Sequence, residues 1–169
     1  RRDTSRIRLL KLLARSYLYS KPDTSLVLCL QGLSLSQHAK FTMGEAFCLE
    51  GMADAFDILG NYPESLENYL MSLKIYESIN DVNGIRRCLG NLGMVYAEQS
   101  EYRRALEYSF KAKEMALNNE SALSIHLLNI GDDYNQLKIF DSAEIYNQQS
   151  YELAMRLNNT DIIGCALTN

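Results

Sequence analysis

From Val82 onward the apolar residues Ile85, Leu89, Leu92, Val95 and Tyr96 are spaced by three and four. That is the spacing of one face of an α-helix. Ser100-Glu101 breaks the pattern, and a second stripe follows through Tyr102, Ala105, Leu106, Tyr108, Ala112 and Met115. The segment therefore predicts two helices, one over about 82–99 and one over about 102–117, joined by a short turn. The pair recurs along the chain. Leu89-Gly90-Asn91-Leu92-Gly93 with Tyr96 returns 38 residues later as Leu127-Leu128-Asn129-Ile130-Gly131 with Tyr134. Tyr102, Ala105 and Tyr108 return at the same shift as Phe140, Ala143 and Tyr146. A backward shift of 40 carries Cys88-Leu89 onto Cys48-Leu49, Leu92-Gly93 onto Met52-Ala53, Tyr96 onto Phe56 and Gly84 onto Gly44.

A weaker copy opens the chain with Leu10, Leu13-Ala14 and Tyr17, and Leu167-Thr168-Asn169 repeats Leu127-Leu128-Asn129. The reading is one array over 1–169, with repeats at about 5–41, 42–81, 82–120 and 121–159 and a partial fifth at 160–169. One helix pair cannot bury its apolar face alone, so such copies must stack. Small residues mark the contacts. Ala14, Ala53, Gly93 and Gly131 share one slot on the first helix, and Ser25, Ser65, Ala105 and Ala143 share one on the second. Helices approach to about 8 Å only where side chains are small. Tyr17, Phe56, Tyr96 and Tyr134 are then placed to fill the space beside each contact. Both prolines, Pro22 and Pro63, open a second helix, where a missing amide hydrogen costs nothing. Thr42 with Glu45 reads as a capping box, and Asp81 and Ser121 read as caps of the next two first helices.

Leu92-Gly93, Tyr96, Tyr102 and Ala105, and again Ile130-Gly131, Tyr134, Phe140 and Ala143, resemble the signature of the tetratricopeptide repeat (TPR) family. The chain departs from it in three ways. Leu49, Leu89 and Leu127 replace an early aromatic, the closing proline is missing, and the period exceeds the roughly 34 residues of the family. A longer period implies longer helices or longer links. The resemblance implies an all-α, right-handed α-α superhelix of about four helical-hairpin repeats plus the start of a fifth. It also implies a concave wall lined by the first helices. Counting from the small-residue slot places Lys11 and Arg15 on that wall in the first copy, with Arg8 beside them, and Glu50, Asp54 and Asp57 in the second. Arg87, Asn91, Met94 and Glu98 follow in the third, and Leu128, Asn129, Asp132 and Gln136 in the fourth. The wall is basic at its N-terminal end and acidic to mixed beyond, which suits a peptide with a basic stretch. Asn91, Asn129 and Asn169 share a slot, and an amide that both donates and accepts can pair with the backbone of an extended peptide. Peptide-sensing TPR regulators and kinesin light chains are similar in using such asparagines. The carboxylate clamp of chaperone-binding TPR domains is not matched, since Arg15 stands where that clamp wants asparagine. The long period and the opening Tyr19-Ser20-Lys21-Pro22 are similar to TPR arrays that precede sensor kinases, cyclases and regulators in bacteria.

Composition narrows the function. The 169 residues carry 17 Lys and Arg against 21 Asp and Glu, a net charge of −4, and a 47 % hydrophobic fraction excludes bulk disorder. The mild acidity argues against nucleic acid as a direct partner. The four cysteines form no CxxC pair and read as free, buried thiols. His38 and His126 stand outside any catalytic motif and read as packed or surface residues, and no nucleotide-binding or hydrolase pattern occurs. Asp132-Asp133, and Asp54 with Asp57, read as solvated helix faces rather than paired catalytic carboxylates. The expectation is a non-enzymatic scaffold without cofactor or metal that binds a protein or peptide and inserts no segment of this stretch into a membrane. The alternative is an architectural module that self-associates weakly through an open end at Ile162-Ile163. The chain starts at Arg1 and ends inside a helical pattern, as a piece of a longer chain would. A downstream transmembrane kinase would place it in the periplasm, and a cyclase or DNA-binding domain in the cytoplasm.

Overall fold

The computed structural model describes residues 2–168, and among them it contains nine α-helices and no strand. The helices are α1 (Arg2–Tyr17), α2 (Pro22–His38), α3 (Thr42–Ile58), α4 (Tyr62–Ser78), α5 (Val82–Glu98), α6 (Tyr102–Met115), α7 (Glu120–Gln136), α8 (Phe140–Arg156) and α9 (Thr160–Thr168). This is the all-α helical repeat that the apolar periodicity predicts. Odd-numbered helices are the first of each copy and even-numbered helices the second.

The long period resides in the helices, not in the links. Six of the helices, α2 to α5 with α7 and α8, are 17 residues long, and three-residue links join most of them. Two such helices with their links give the 40-residue shift. α6 has only 14 residues and a four-residue link after it, which gives the shift of 38.

Six links share one geometry. Lys40, Gly60, Asn80, Ser100, Lys138 and Asn158 have φ between 50° and 75°, in the left-handed region. The next residue's N–H then reaches back five positions, as in Phe41 to the Ser36 carbonyl (2.8 Å) and Asn61 to the Phe56 carbonyl (2.8 Å). Glu101 to Tyr96 and Ile139 to Tyr134, both 2.9 Å, repeat the pattern. This is the Schellman closure, which satisfies carbonyls that a helix end leaves open. Only Gly60 adopts it without steric cost, whereas the other five bear about 1 kcal/mol each.

The helices divide into two compact units, with the boundary inside α5 between Cys88 and Leu89. In the first unit α3 packs on α2 and α4, and α1 packs on α2 and α3. Ala14, Cys29 and Met52 are buried together with Leu26, Leu33 and Phe56 against them. α2 and α3 interlock reciprocally, since a Cβ added at Gly32 would lie 2.7 Å from Cys48 Sγ and one at Gly51 the same distance from Cys29 Sγ. Gly44 and Gly84, equivalent in sequence, do equivalent work. A Cβ at Gly44 would strike Phe41 and Ser36, and one at Gly84 would strike the Tyr76 ring.

In the second unit α7 packs on α6, α8 and α9. Its small-residue slots are close contacts, as their repetition predicts. A Cβ at Gly93 would lie 2.7 Å from Ser109 Oγ, and one at Gly131 would overlap the Asn147 amide. The aromatics fill the space beside them: Tyr96 stacks on Tyr108 at 5.4 Å and Tyr134 on Tyr146 at 5.6 Å. One hydrogen bond recurs in both units. Ser72 Oγ donates to the Ala46 carbonyl (2.9 Å), and Ser150 Oγ, its equivalent, donates to the Ser124 carbonyl (2.8 Å).

Four local expectations are corrected. Thr42 is the first residue inside α3 and its cap position is Phe41, without a side-chain bond, so there is no capping box. The cap of α7 is Asn119, whose side-chain oxygen accepts from the Ala122 N–H at 3.0 Å, and not Ser121. Cys29, Cys48 and Cys88 are buried free thiols, but Cys165 is exposed because α9 has no helix after it among the described residues. Ile162 is not an exposed end residue: it is buried against Leu128 and Ala154, and the exposed face of α9 carries Cys165 and Leu167 instead.

Candidate functional site

In the first unit, the residues expected on the first-helix wall meet as a charged cluster. Glu50 of α3 is only 7 % exposed and accepts from Arg87 Nε (2.7 Å), from Arg87 Nη2 (3.0 Å) and from the Tyr76 hydroxyl (2.6 Å). The Arg87 guanidinium also lies 5.6 Å from the centre of the Tyr76 ring. Burial pushes the Glu50 carboxyl up, but the Arg87 hydrogen bonds and charge and the Tyr76 hydroxyl outweigh it and hold the carboxyl below its ordinary range. Glu50 is therefore not an open wall residue, because its neighbours already satisfy it from three directions.

Lys11 of α1 belongs to the same cluster. Its ammonium sits 3.6 Å over the Phe47 ring, and burial lowers its pKa against the pull of Glu50. Asp54 accepts from the Tyr69 hydroxyl, and burial raises its carboxyl to about 6 despite that bond. Arg15 is exposed but acts electrostatically on both Lys11 and Asp54. Asp57 is half-buried, one turn further along α3. Neither Asp54 nor Asp57 is on a solvated face.

In the second unit, Met94, Glu98, Asn129 and Asp132 line one cleft of about 220 Å³ between α5, α6 and α7. Gly93, Ala97, Ser109 and Asp133 complete its walls. Asp133 is 4 % exposed, and burial with the neighbouring Asp132 charge pushes its carboxyl up to about 7. The expectation of a solvated Asp132-Asp133 face is thus corrected. The signal was present in the repeat register, because Asp133 occupies the slot of Ala55 and Val95, both fully buried apolar residues.

The other wall residues separate. Asn91 is half-buried, Gln136 is exposed, and Asn169 lies outside the described residues. Leu128 is not on an open face; it is core, packed on Ala154 and Ile162, because α9 covers that side of α7. His126 is a packed histidine, its ring filling the space above Gly90. A wider depression of about 760 Å³ lies among the ends of α6, α7 and α8, beside Leu117, Leu123 and Tyr151, where α6 stops one turn short. It is mostly apolar, and Arg156 on its edge is paired to Glu120 at 3.1 Å. Among the described residues no group of three or more His, Cys, Asp or Glu is placed to hold a metal ion. None of their helices is long and apolar enough to cross a membrane.

A family model described as Tetratricopeptide repeat matches residues 45–118. The chain is 31 % identical over 134 residues to Photosystem I assembly protein Ycf3 of Rippkaea orientalis, a match covering 72 % of each chain. Among solved structures it is similar to Aspartyl phosphate phosphatase F of Bacillus subtilis, with 19 % identity and a TM-score of 0.87 over 94 % of this chain and 43 % of the other. It is also similar to a Signal Transduction ATPase with Numerous Domains (STAND) protein with a tetratricopeptide repeat sensor from Pyrococcus horikoshii. There the identity is 17 % and the TM-score 0.84, over 97 % of this chain and 27 % of the other. The chain spans less than half the length of both solved structures, and at such identities the likeness is one of fold.

Proposed function

Because the chain belongs to the tetratricopeptide repeat family, we propose that this protein-interaction scaffold holds an extended peptide against its first helices, as the sensory or regulatory region of a larger bacterial signalling protein. The observation that carries the peptide reading is the cleft of the second unit. It gathers an amide (Asn129), carboxylates (Glu98, Asp132) and an apolar wall (Met94) from two successive first helices. Its volume is below the roughly 300 Å³ of most small-molecule sites, so it suits side chains of a peptide better than a cofactor. Asn91 and Asn129, in one slot of successive copies, are placed to pair with the peptide backbone. The sensor role is supported by the tetratricopeptide repeat sensor of the STAND protein, whose fold this chain shares. The test is capture of peptides from a random display library. Asn91→Ala with Asn129→Ala should abolish capture while the helical melting curve stays within error of wild type. Unchanged capture by the folded double variant would refute the role of the amides.

A second reading is self-association, and an uncovered face favours it. On α1, Leu9, Leu12 and Leu13 are 56 %, 65 % and 41 % exposed. Leu9 and Leu13 stand in the slots of Cys48 and Met52, which the preceding copy buries. Under this reading the mass measured by light scattering rises with concentration, and Leu9→Glu with Leu12→Glu suppresses the rise. A constant monomer mass would reject it.

A further inference from the structure

The cleft between α5, α6 and α7 holds a residue that the fold does not account for. Asp133 stands where the two preceding copies bury Ala55 and Val95. A buried carboxylate in an apolar slot is costly unless a counter-charge or hydrogen bond offsets it. The Asp133 carboxyl has no hydrogen-bond or ion-pair partner among the described residues, and the charge that acts on it, Asp132, has the same sign. Glu98 of α5 adds a third carboxylate to the lining, and no Lys or Arg lines it. Around α7, Ser109 of α6 and Asn147 of α8 do not titrate, Ile162 of α9 packs on Leu128, and the Arg156–Glu120 pair lies at the far end of the helix.

The space beside Asp133 also follows from sequence. Ser109 holds the slot that Tyr69 fills in the preceding copy, and Gly93 holds that of Ala53. Two smaller side chains open the cleft beside the one misplaced charge.

We propose that this cleft receives the ammonium of a lysine side chain from the bound peptide, with Asp133 as its buried counter-charge and Met94 flanking the methylene stem. The proposal rests on the peptide reading above. Carboxylates on different helices, together with the Ser109 hydroxyl and the Asn129 amide oxygen, suit an ammonium with three separately directed donors. A guanidinium instead wants one carboxylate in a planar fork. A metal ion is disfavoured by the absence of a ligating group of three among the described residues.

The sign of the pH dependence follows from the raised carboxyl. Asp133 is largely protonated below about 7 and ionised above it, and only the ionised form pairs with ammonium. Affinity should therefore rise about tenfold between about pH 6 and about pH 8. The probes are short acetylated peptides alternating serine with lysine, with arginine or with norleucine, titrated by fluorescence anisotropy. The lysine peptide should bind at least about tenfold more tightly than the norleucine peptide at the higher pH. Asp133→Asn should remove the rise with pH, and Asp133→Val, restoring the residue of the preceding copy, should raise the melting temperature while the lysine preference is lost.

Equal binding of the lysine and norleucine peptides would overturn this inference and leave the peptide reading standing. A lysine preference that survives Asp133→Val would do the same, as would arginine binding that equals or exceeds lysine. Failure of all three peptides to bind would overturn the inference together with the peptide reading.

Discussion

Arg87→Ala should lower the stability of the protein by about 2–3 kcal/mol at neutral pH, somewhat below the usual cost of breaking a fully buried ion pair because Arg87 is itself about a third exposed. The loss comes less from the missing attraction than from what remains. Glu50 stays buried, keeps its bond from the fully buried Tyr76, and loses the two hydrogen bonds that offset its desolvation. The sign can be followed with pH. In wild type the Glu50 carboxyl lies below its ordinary value, so its contribution is present above the unfolded pKa and is lost as pH falls through the folded one. In the variant, burial is no longer outweighed and the carboxyl moves up. Its penalty at neutral pH is then relieved as pH falls through the raised value. Urea denaturation should thus show a gap between wild type and variant that narrows on acidification. Glu50→Leu with Arg87→Met should lie much closer to wild type than either single truncation, because both charges leave together. A gap that does not change with pH would refute the buried-charge account.

Gly93→Leu should destabilise by about 3 kcal/mol, the upper part of the range for overpacking a close contact. For a chain of this size that is a melting temperature lower by roughly 6–12 °C. The contact has no slack in the required direction. A Cβ at Gly93 would lie 2.7 Å from Ser109 Oγ, 3.2 Å from the Ala105 carbonyl oxygen and 3.4 Å from the Ser109 amide nitrogen. Ser109 Oγ can rotate, but the other two atoms are α6 backbone, so a larger side chain must push the helix away. Gly93→Ala should cost far less, since Ala53 holds the same slot in the preceding copy. A melting temperature equal to wild type for the leucine variant would refute the register of the repeats.

The candidate site was legible in part. Counting from Gly93 and Gly131 placed Met94, Glu98, Asn129 and Asp132 on one wall, and the structure brings those four into one cleft. The pair Asp132-Asp133 resembles a solvated face in sequence, whereas the repeat slot of Asp133 is that of the buried Ala55 and Val95. Counting alone puts Leu128 on the wall, because a count along one helix does not register that α9 covers it. Glu50 and Arg87 were two separate charges in the sequence, 37 positions apart, and only packing makes them one buried pair.

What the sequence determined by itself is the number, type and phase of the helices. Apolar residues at three- and four-residue spacing can be buried only as helix faces, and Gly93 and Gly131 recur because each lies against a second helix. These are local or strictly periodic constraints, so one chain reveals them. What only the tertiary structure decided are the features that depend on particular neighbours. Lys40, Ser100 and Lys138 take left-handed backbone because the Schellman closure satisfies helix-end carbonyls, not because their side chains ask for it. Whether a carboxylate is solvated, paired or buried alone depends on what the adjoining helices present. Glu50 meets Arg87 and Tyr76, Asp54 meets Tyr69, and Asp133 meets an open cleft and a like charge. Three acidic residues, two on α3 and one on the equivalent α7, thus acquire three different electrostatic states, and desolvation by those neighbours is the physical reason.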